Sequence, residues 1–186
     1  MKKTHQSTAY SGQWTRTIVA DWEHNGHNGI WEYIERNASQ QGVVIIPLIV
    51  SRRSVILIRQ KRIPLDANVI EFPAGLVDQG ETVEICVARE LAEETGASGK
   101  IVHLSAPLAT SPGLTSECII CAIVAVDSIH NSDLDVSEDI EMFEIPIAEL
   151  DQFIEERGTT DVIDSKVWFF SKIVSGFINL LLDGAR

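Results

Sequence analysis

The chain has 186 residues, with 15 Lys and Arg against 27 Asp and Glu, so its formal net charge is −12. With 45% apolar and 23% charged residues it has the composition of an ordinary globular protein, and its length suits one domain with a small appendage. The negative charge argues against a general nucleic-acid-binding surface or an anionic-membrane surface, because the net field would repel phosphate. A chain of this charge that binds phosphates must therefore supply cations locally, through a metal ion or a few arginines.

The sequence indicates a cytoplasmic protein with no membrane partner. The two lysines near the start are not followed by an apolar run, so no secretory signal is predicted. The most apolar late stretch, residues 167–182, is too short and too polar to span a bilayer. Three cysteines are a sparse and odd number, which fits a reducing compartment.

The first half of the chain predicts two β-hairpins. The first dozen residues are polar and are expected to be frayed. Two strand-like pieces between residues 14 and 36 flank a turn rich in Asn, Gly and His, which predicts a hairpin with a polar tip. A β-branched run after Gly42 and a second run at 55–60 predict another hairpin, more deeply buried because its apolar residues are nearly continuous.

The second half predicts a short strand and one helix, followed by further strands and then two terminal helices. A strand at 69–72 precedes a helix over 82–95, which Gly96 closes where a left-handed cap is favoured. Strands are expected at 100–108, 118–126 and 141–145, a short helix at 148–157, and an amphipathic helix from residue 167. Crossover helices between successive strands are missing, so we expect a mixed α/β fold with a mixed sheet and not a doubly wound fold.

The helix predicted over 82–95 carries a group of carboxylates. Glu90 and Glu94 stand one turn apart on one face, with Glu93 beside them. Crowded carboxylates repel one another unless a cation lies between them, and oxygen ligands without His or Cys select Mg²⁺ or Mn²⁺ over zinc. Glutamate-rich helix faces are usually only solvated, so the metal hypothesis also needs the surrounding residues. Val83, Val87 and Leu91, four apart, would anchor the helix on a core, and Arg89 can pair with Glu81.

This segment resembles the Nudix box, the signature of the Nudix hydrolases. All seven fixed residues are present: Gly75, Glu81, Arg89, Glu90, Glu93, Glu94 and Gly96. Leu91 fills an aliphatic slot of the box, and the last slot holds the small residue Ala97. The resemblance implies a Nudix-type α/β/α sandwich with a loop–helix–loop metal site that cleaves a nucleoside diphosphate linked to a further group.

The resemblance also implies roles for individual residues. Glu90 and Glu94 match the direct metal ligands, Glu93 matches a further or water-mediated ligand, and the backbone carbonyl of Ala74 matches another ligand. Glu81 matches the orienting acid, with Arg89 beside it. Glu138, in a late acidic stretch, matches the base that takes a proton from water, with Asp139 and Glu141 as alternatives.

The flanking segments resemble the ADP-ribose pyrophosphatase and nucleotide-sugar hydrolase branch of this family. Matching residues are Trp31 as the adenine-stacking face, Trp14 as a second face from a partner chain, Arg36 and Arg62 at the diphosphate, Pro112 in the loop typical of the branch, and Glu117 at the terminal sugar. Each also has an ordinary explanation, since strand tryptophans are mostly core, and surface arginines and loop carboxylates are commonly solvated.

The resemblance therefore implies Mg²⁺-dependent hydrolysis of ADP-ribose or a related nucleoside diphosphate sugar to AMP and a sugar phosphate. GDP-mannose, ADP-glucose and dinucleoside polyphosphates are alternative substrates, and a non-catalytic ligand-binding module is an alternative of another class. Members of this branch form homodimers with exchanged N-terminal strands. We accordingly expect residues 1–40 to form an N-terminal β-hairpin subdomain that serves dimerisation and the substrate site, and residues 41–186 to form the hydrolase domain.

Cys118 and Cys121 form a Cys-x-x-Cys pair that could indicate a zinc or redox site. A second such pair or a pair of histidines is missing, and residues three apart on a strand point to opposite faces. We therefore expect buried, inert thiols.

Overall fold

The computed structural model describes residues 1–37, 41–130 and 139–183, with side chains as far as residue 174. The N-terminal residues form a three-stranded antiparallel sheet of β1 (Lys2–Ser11), β2 (Thr15–His24) and β3 (His27–Arg36). The hairpin predicted for β2 and β3 is confirmed, and its turn residues Asn25 and Gly26 both have positive φ, as the favoured two-residue hairpin turns require. The prediction of a frayed start is wrong, because β1 pairs with β2 along almost its whole length. Strand pairing uses backbone groups, so the polar, exposed side chains of β1 do not prevent it.

A larger mixed sheet forms the centre of the molecule. Its strands in the described residues are β4 (Gly42–Ile49), β5 (Ser54–Arg62), β6 (Ala67–Glu71), β7 (Ala74–Leu76), β8 (Ala97–Leu104), β9 (Leu108–Ala109), β10 (Cys118–Ile129), β11 (Ile140–Pro146) and β12 (Val162–Ile163). The main order is β12-β6-β5-β4-β10-β8, with β11 on β5, β7 on β4 and β9 on β10. The β4–β10 and β6–β12 pairs are parallel, and the other pairs are antiparallel.

The second predicted hairpin is confirmed at its turn, but its strands soon separate. Strands β4 and β5 pair only at Leu48–Val55 and Ile49–Ser54. Beyond these residues β5 pairs with β6 and β11, whereas β4 pairs with β7 and β10. The divergence leaves an opening between the end of β5 and the start of β4, and the candidate site lies there.

Helices cover both faces of the central sheet. Side chains alternate along β4 and β5, so that Val43 and Ile56 pack towards α1 (Val83–Thr95), while Val44 and Leu57 pack towards the other face. That other face is covered by α2 (Leu150–Arg157) and α3 (Ser165–Asp183). The predicted α/β/α sandwich is confirmed. No helix in the described residues has the length and apolarity needed to cross a bilayer.

Helix α1 begins and ends where the sequence predicts. The Thr82 side chain accepts a hydrogen bond from the Ile85 amide at 3.3 Å, which caps the first turn. Gly96 ends the helix with φ of +67°, the left-handed conformation that glycine adopts without strain. Val87 and Leu91 are buried against the sheet. The caps fix the two ends of the helix, and the buried residues Val87 and Leu91 fix its rotation about its axis. Together they determine where its glutamates point.

Candidate active site

A cavity of about 700 Å³ lies where β4 and β5 diverge, between α1 and the N-terminal sheet. A volume of this size is in the range of sites for drug-sized ligands. Its lining combines residues from five segments of the chain: Gln13, Trp14, Arg36, Asn37, Gln60, Arg62, Ala74, Gly75, Leu76, Asp78, Arg89, Glu90 and Glu94. Eight of the residues predicted from the resemblance or the box therefore line one cavity: Trp14, Arg36, Arg62, Ala74, Gly75, Arg89, Glu90 and Glu94.

Arg89 joins the helix to the loop that precedes it. Its guanidinium donates to both carboxylate oxygens of Glu81 at 3.0 Å and to the carbonyl of Leu76 at 3.2 Å. The predicted Glu81–Arg89 pair is confirmed. The hydrogen bonds from Arg89, with one from the Asp78 amide, lower the pKa of Glu81 from 4.5 to about 2. The same contacts raise the pKa of Arg89, so both groups stay ionised and hold the loop against the helix.

Glu90 and Glu94 present their carboxylates to the cavity from successive turns of α1. Arg89 donates to Glu90 at 2.8 Å, and the Ala74 amide donates to Glu94 at 3.0 Å. Glu94 is only 4% exposed. A Cβ atom added to Gly75 would overlap the Glu90 side chain, so the glycine provides the space in which this carboxylate lies.

Glu93 differs from the other two helix glutamates. Its carboxylate accepts a hydrogen bond from Arg89 at 3.1 Å, remains about half exposed, and is not part of the cavity lining. Glu93 and Glu90 accept from the same nitrogen of Arg89, so Glu93 lies beside the cavity without lining it.

The donor set of the cavity suits a hard divalent cation. No group of three or more His, Cys, Asp or Glu side chains in the described residues is already arranged as a metal site. However, the carboxylates of Glu90 and Glu94 and the Ala74 backbone face the same cavity, and all of them offer oxygen atoms. Oxygen ligands of this kind are those that Mg²⁺ and Mn²⁺ prefer. These three residues would hold the metal.

The two predicted diphosphate-binding arginines are held by carboxylates. Nε of Arg62 donates to Glu71 at 2.7 Å, and Arg36 donates to Glu117 at 2.7–2.9 Å. Burial raises the pKa of Glu71, although the hydrogen bond from Arg62 opposes this effect. A guanidinium has five N–H donors, so these pairs occupy only part of each group and leave donors for phosphate oxygens. Glu117, predicted at the terminal sugar, is not among the residues lining this cavity, and its observed contacts orient Arg36.

The aromatic residues predicted for adenine do not lie together. Trp14 is 73% exposed and lines the cavity beside α1. Trp31 lines a different cavity of about 450 Å³ on the N-terminal sheet, together with Pro112, and its Nε1 donates to the Gly113 carbonyl at 3.0 Å. Within one chain, Trp14 and not Trp31 therefore lies at the cavity that contains Glu90 and Glu94.

The predicted base falls partly outside the described residues. Glu138 lies in the range that the structure does not describe. Glu141 on β11 pairs with Arg59 at 3.6 Å, and Arg59 donates to Asp161 at 2.8 Å. Because residues paired across a ladder share a face, Glu141 lies on the face of Arg59, opposite to that of its neighbour Gln60. This placement disfavours Glu141 as the base.

The cavity is also lined by a residue that was not predicted from the sequence. Gln60 lines the cavity, and the signal that indicates it is its spacing of two residues from Arg62 on one strand.

The prediction that both thiols of the Cys-x-x-Cys pair are buried is wrong for Cys118, which is exposed at the start of β10. Cys121 is half-buried, and burial raises its pKa, as expected for an inert thiol.

Comparison with known proteins identifies the family of this site. The NUDIX domain matches residues 38–163. A Caenorhabditis elegans protein named for the same family is 33% identical over 174 residues, which span 86% of this chain and 78% of that protein. The methanol dehydrogenase activator of Bacillus methanolicus is 30% identical over 162 residues, or 86% of this chain and 84% of the relative.

Two further proteins resemble the chain and have names that mention ADP compounds. The ADP-ribose pyrophosphatase of Saccharomyces cerevisiae is 39% identical over 110 residues, which span 58% of this chain and 48% of the yeast protein. A crystal structure of an ADP compounds hydrolase superposes with a TM-score of 0.67 at 23% identity, covering 83% of this chain and 82% of that one. This structural likeness shows the fold. Because the NUDIX domain covers well over half of the chain and four of the seven fixed box residues line one cavity, the chain belongs to the Nudix family of hydrolases.

Proposed function

We propose that this protein hydrolyses the diphosphate linkage of ADP-ribose or a related nucleoside diphosphate sugar, giving AMP and a sugar phosphate. The observation that carries the proposal is a single cavity in which the carboxylates of Glu90 and Glu94 face the guanidinium groups of Arg36 and Arg62. A diphosphate needs cationic partners, and the chain as a whole has a net charge of −12. The name of the yeast relative supports ADP-ribose as the substrate.

Different residues would bind the metal, orient the diphosphate and accept the proton of the attacking water. A divalent cation, Mg²⁺ or Mn²⁺ in this proposal, would supply Lewis-acid stabilisation of the diphosphate when held by Glu90, Glu94 and the Ala74 carbonyl. Arg62 and Arg36 would orient the phosphate oxygens through their remaining N–H donors, because Glu71 and Glu117 already restrict their side chains. From its match in the sequence, Glu138 is proposed to accept the proton of the attacking water.

We further propose a cytoplasmic homodimer with exchanged N-terminal strands, in which residues 1–40 serve both the interface and the site. Every side chain of β1 is exposed in the single chain, as are the large apolar residues Tyr10, Trp14 and Ile30. A second copy covering this sheet would bury them. Exchange of the N-terminal strands would then carry Trp14, which lines the cavity of its own chain in the single chain, to the site of the partner. Sedimentation of a monomer at micromolar concentration would contradict this part of the proposal.

The deciding experiment is a hydrolysis assay with ADP-ribose, with and without added Mg²⁺, in which AMP and ribose 5-phosphate are measured directly. Glu94→Gln should reduce the rate at least about a hundredfold, because it removes a charged ligand from the cavity. Glu84→Gln is the matched control, since Glu84 is an exposed glutamate in the first turn of the same helix. Full activity of Glu94→Gln, or full activity of the wild type in excess EDTA, would refute the proposed metal site.

A substrate panel separates the proposed function from its rivals. GDP-mannose, ADP-glucose and a dinucleoside polyphosphate should be hydrolysed more slowly than ADP-ribose at equal concentration. Faster turnover of one of them would keep the chemistry and change the substrate. Tight binding of ADP-ribose in Mg²⁺ without any turnover would instead indicate a ligand-binding module.

A further inference from the structure

One side chain in the cavity has a hydrogen-bonding atom that the protein does not use. Oε1 of Gln60 is buried and has no hydrogen-bond partner, and it is the one buried side-chain nitrogen or oxygen of this kind in the described residues. Buried polar atoms of native proteins are nearly always paired, so an exception at a cavity points to a group that arrives from outside the chain. Gln60 is part of the cavity lining that also contains Arg62, Glu90 and Glu94.

The strand geometry directs Gln60 towards the active site. Along β5, Val55 and Leu57 pack on the α2–α3 side, whereas Ile56 packs on the α1 side. Alternation places Gln60 and Arg62 on the same side as Ile56, facing α1 and its glutamates. Gln60 is also paired with Val69 of β6 and Ile140 of β11, so strands on both sides hold its backbone in place.

The chemistry of the free atom restricts what it can bind. A carboxamide oxygen accepts hydrogen bonds and cannot donate them. The oxygens of an ionised diphosphate are also acceptors only, so they cannot satisfy it. The donors of a nucleoside diphosphate sugar are its sugar hydroxyls and the amino group of its base. A hydroxyl is the donor that lies nearest to the phosphates, which the arginine beside Gln60 would hold.

We propose that Oε1 of Gln60 accepts a hydrogen bond from a sugar hydroxyl of the bound nucleoside diphosphate sugar, which makes Gln60 a specificity-determining residue of this site. The inference rests on the proposed function. It explains why a polar atom stays buried without a partner in the free protein, because the substrate supplies the missing donor. An apolar side chain of the same size should therefore make the free protein at least as stable and should weaken substrate binding.

The test compares Gln60→Met with the wild type in two measurements. In the free protein, the midpoint of thermal unfolding should stay unchanged or rise, because the variant no longer buries an unpaired acceptor. The dissociation constant for ADP-ribose, measured by calorimetry in EDTA to prevent turnover, should rise about three- to tenfold, as for the loss of one neutral hydrogen bond. Gln152→Met is the matched control, since Gln152 is an exposed residue of α2 whose side chain donates to Glu156 at 2.8 Å, and it should leave the dissociation constant unchanged.

The outcomes distinguish a failure of the Gln60 contact from a failure of the proposed function on which it rests. Equal dissociation constants for Gln60→Met and wild type would overturn the contact and indicate that water satisfies Oε1 instead. A clear fall in the unfolding temperature of the free variant would also overturn it, because the oxygen would then have a structural role. Failure of the wild type itself to bind ADP-ribose would count against the proposed function, and with it against this contact.

Discussion

Gly75→Ala should disturb the site through one identifiable clash. The added Cβ would overlap Cγ, Cδ and Oε1 of Glu90, so the carboxylate must leave its position. In leaving, it gives up the 2.8 Å hydrogen bond from Arg89, whereas Arg89 keeps its two bonds to Glu81. Since Arg89 is about one-third exposed, this charge-assisted bond contributes about 1–2 kcal/mol. For a chain of this length the unfolding midpoint should fall by about 2–8 °C. Hydrolysis should fall about a hundredfold, because a displaced ligand misplaces the reacting groups.

A double-mutant cycle tests whether the clash with Glu90 is the cause. In a Glu90→Ala background the space is empty, so adding Gly75→Ala should change neither the unfolding midpoint nor the residual activity. Gly113→Ala is the control for the stability measurement, because a Cβ there meets no atom within 4 Å. The reasoning fails if Gly75→Ala retains wild-type hydrolysis, or if its destabilisation persists in full when Glu90 is alanine.

Two ion pairs allow further tests. Because Arg89 lowers the folded-state pKa of Glu81 from 4.5 to about 2, the stabilisation is complete above pH 4.5 and is lost as the pH falls towards 2. Glu81→Gln should therefore flatten the pH dependence of the unfolding free energy in that window, followed by circular dichroism in urea, and an unchanged slope would contradict the pKa. Arg59→Met should cost about 3 kcal/mol in urea unfolding, because it removes the closest partner of Asp161, whose side chain is only 1% exposed. Arg52→Met, which breaks a more exposed pair, should cost less than about 1 kcal/mol, and equal costs would refute the burial argument.

Local signals in the sequence predict the helix of the site. Thr82 and Gly96 mark its ends, and the spacing of Val87 and Leu91 identifies its buried face. Since a helix repeats every 3.6 residues, Glu90 lies one turn from Val87 and Glu94 one turn from Leu91, so both carboxylates point to the same side, at the edge of that buried face. The hairpin of β2 and β3 is predicted for the same reason, because Asn-Gly is a turn signal that needs no distant partner.

Tertiary structure alone decides which distant segments meet. The parallel pairing of β4 with β10 joins residues 77 positions apart, and nothing in either strand specifies the other as its partner. The same holds for the carboxylates that restrain Arg36 and Arg62, and for the separation of Trp31 from Trp14. Periodicity and capping are properties of neighbouring residues, so the chain determines its helices, its sandwich layers and its row of glutamates locally. The shape of the cavity, the partners of its arginines and the unpaired oxygen of Gln60 depend on where the diverging strands are packed, which only the folded molecule determines.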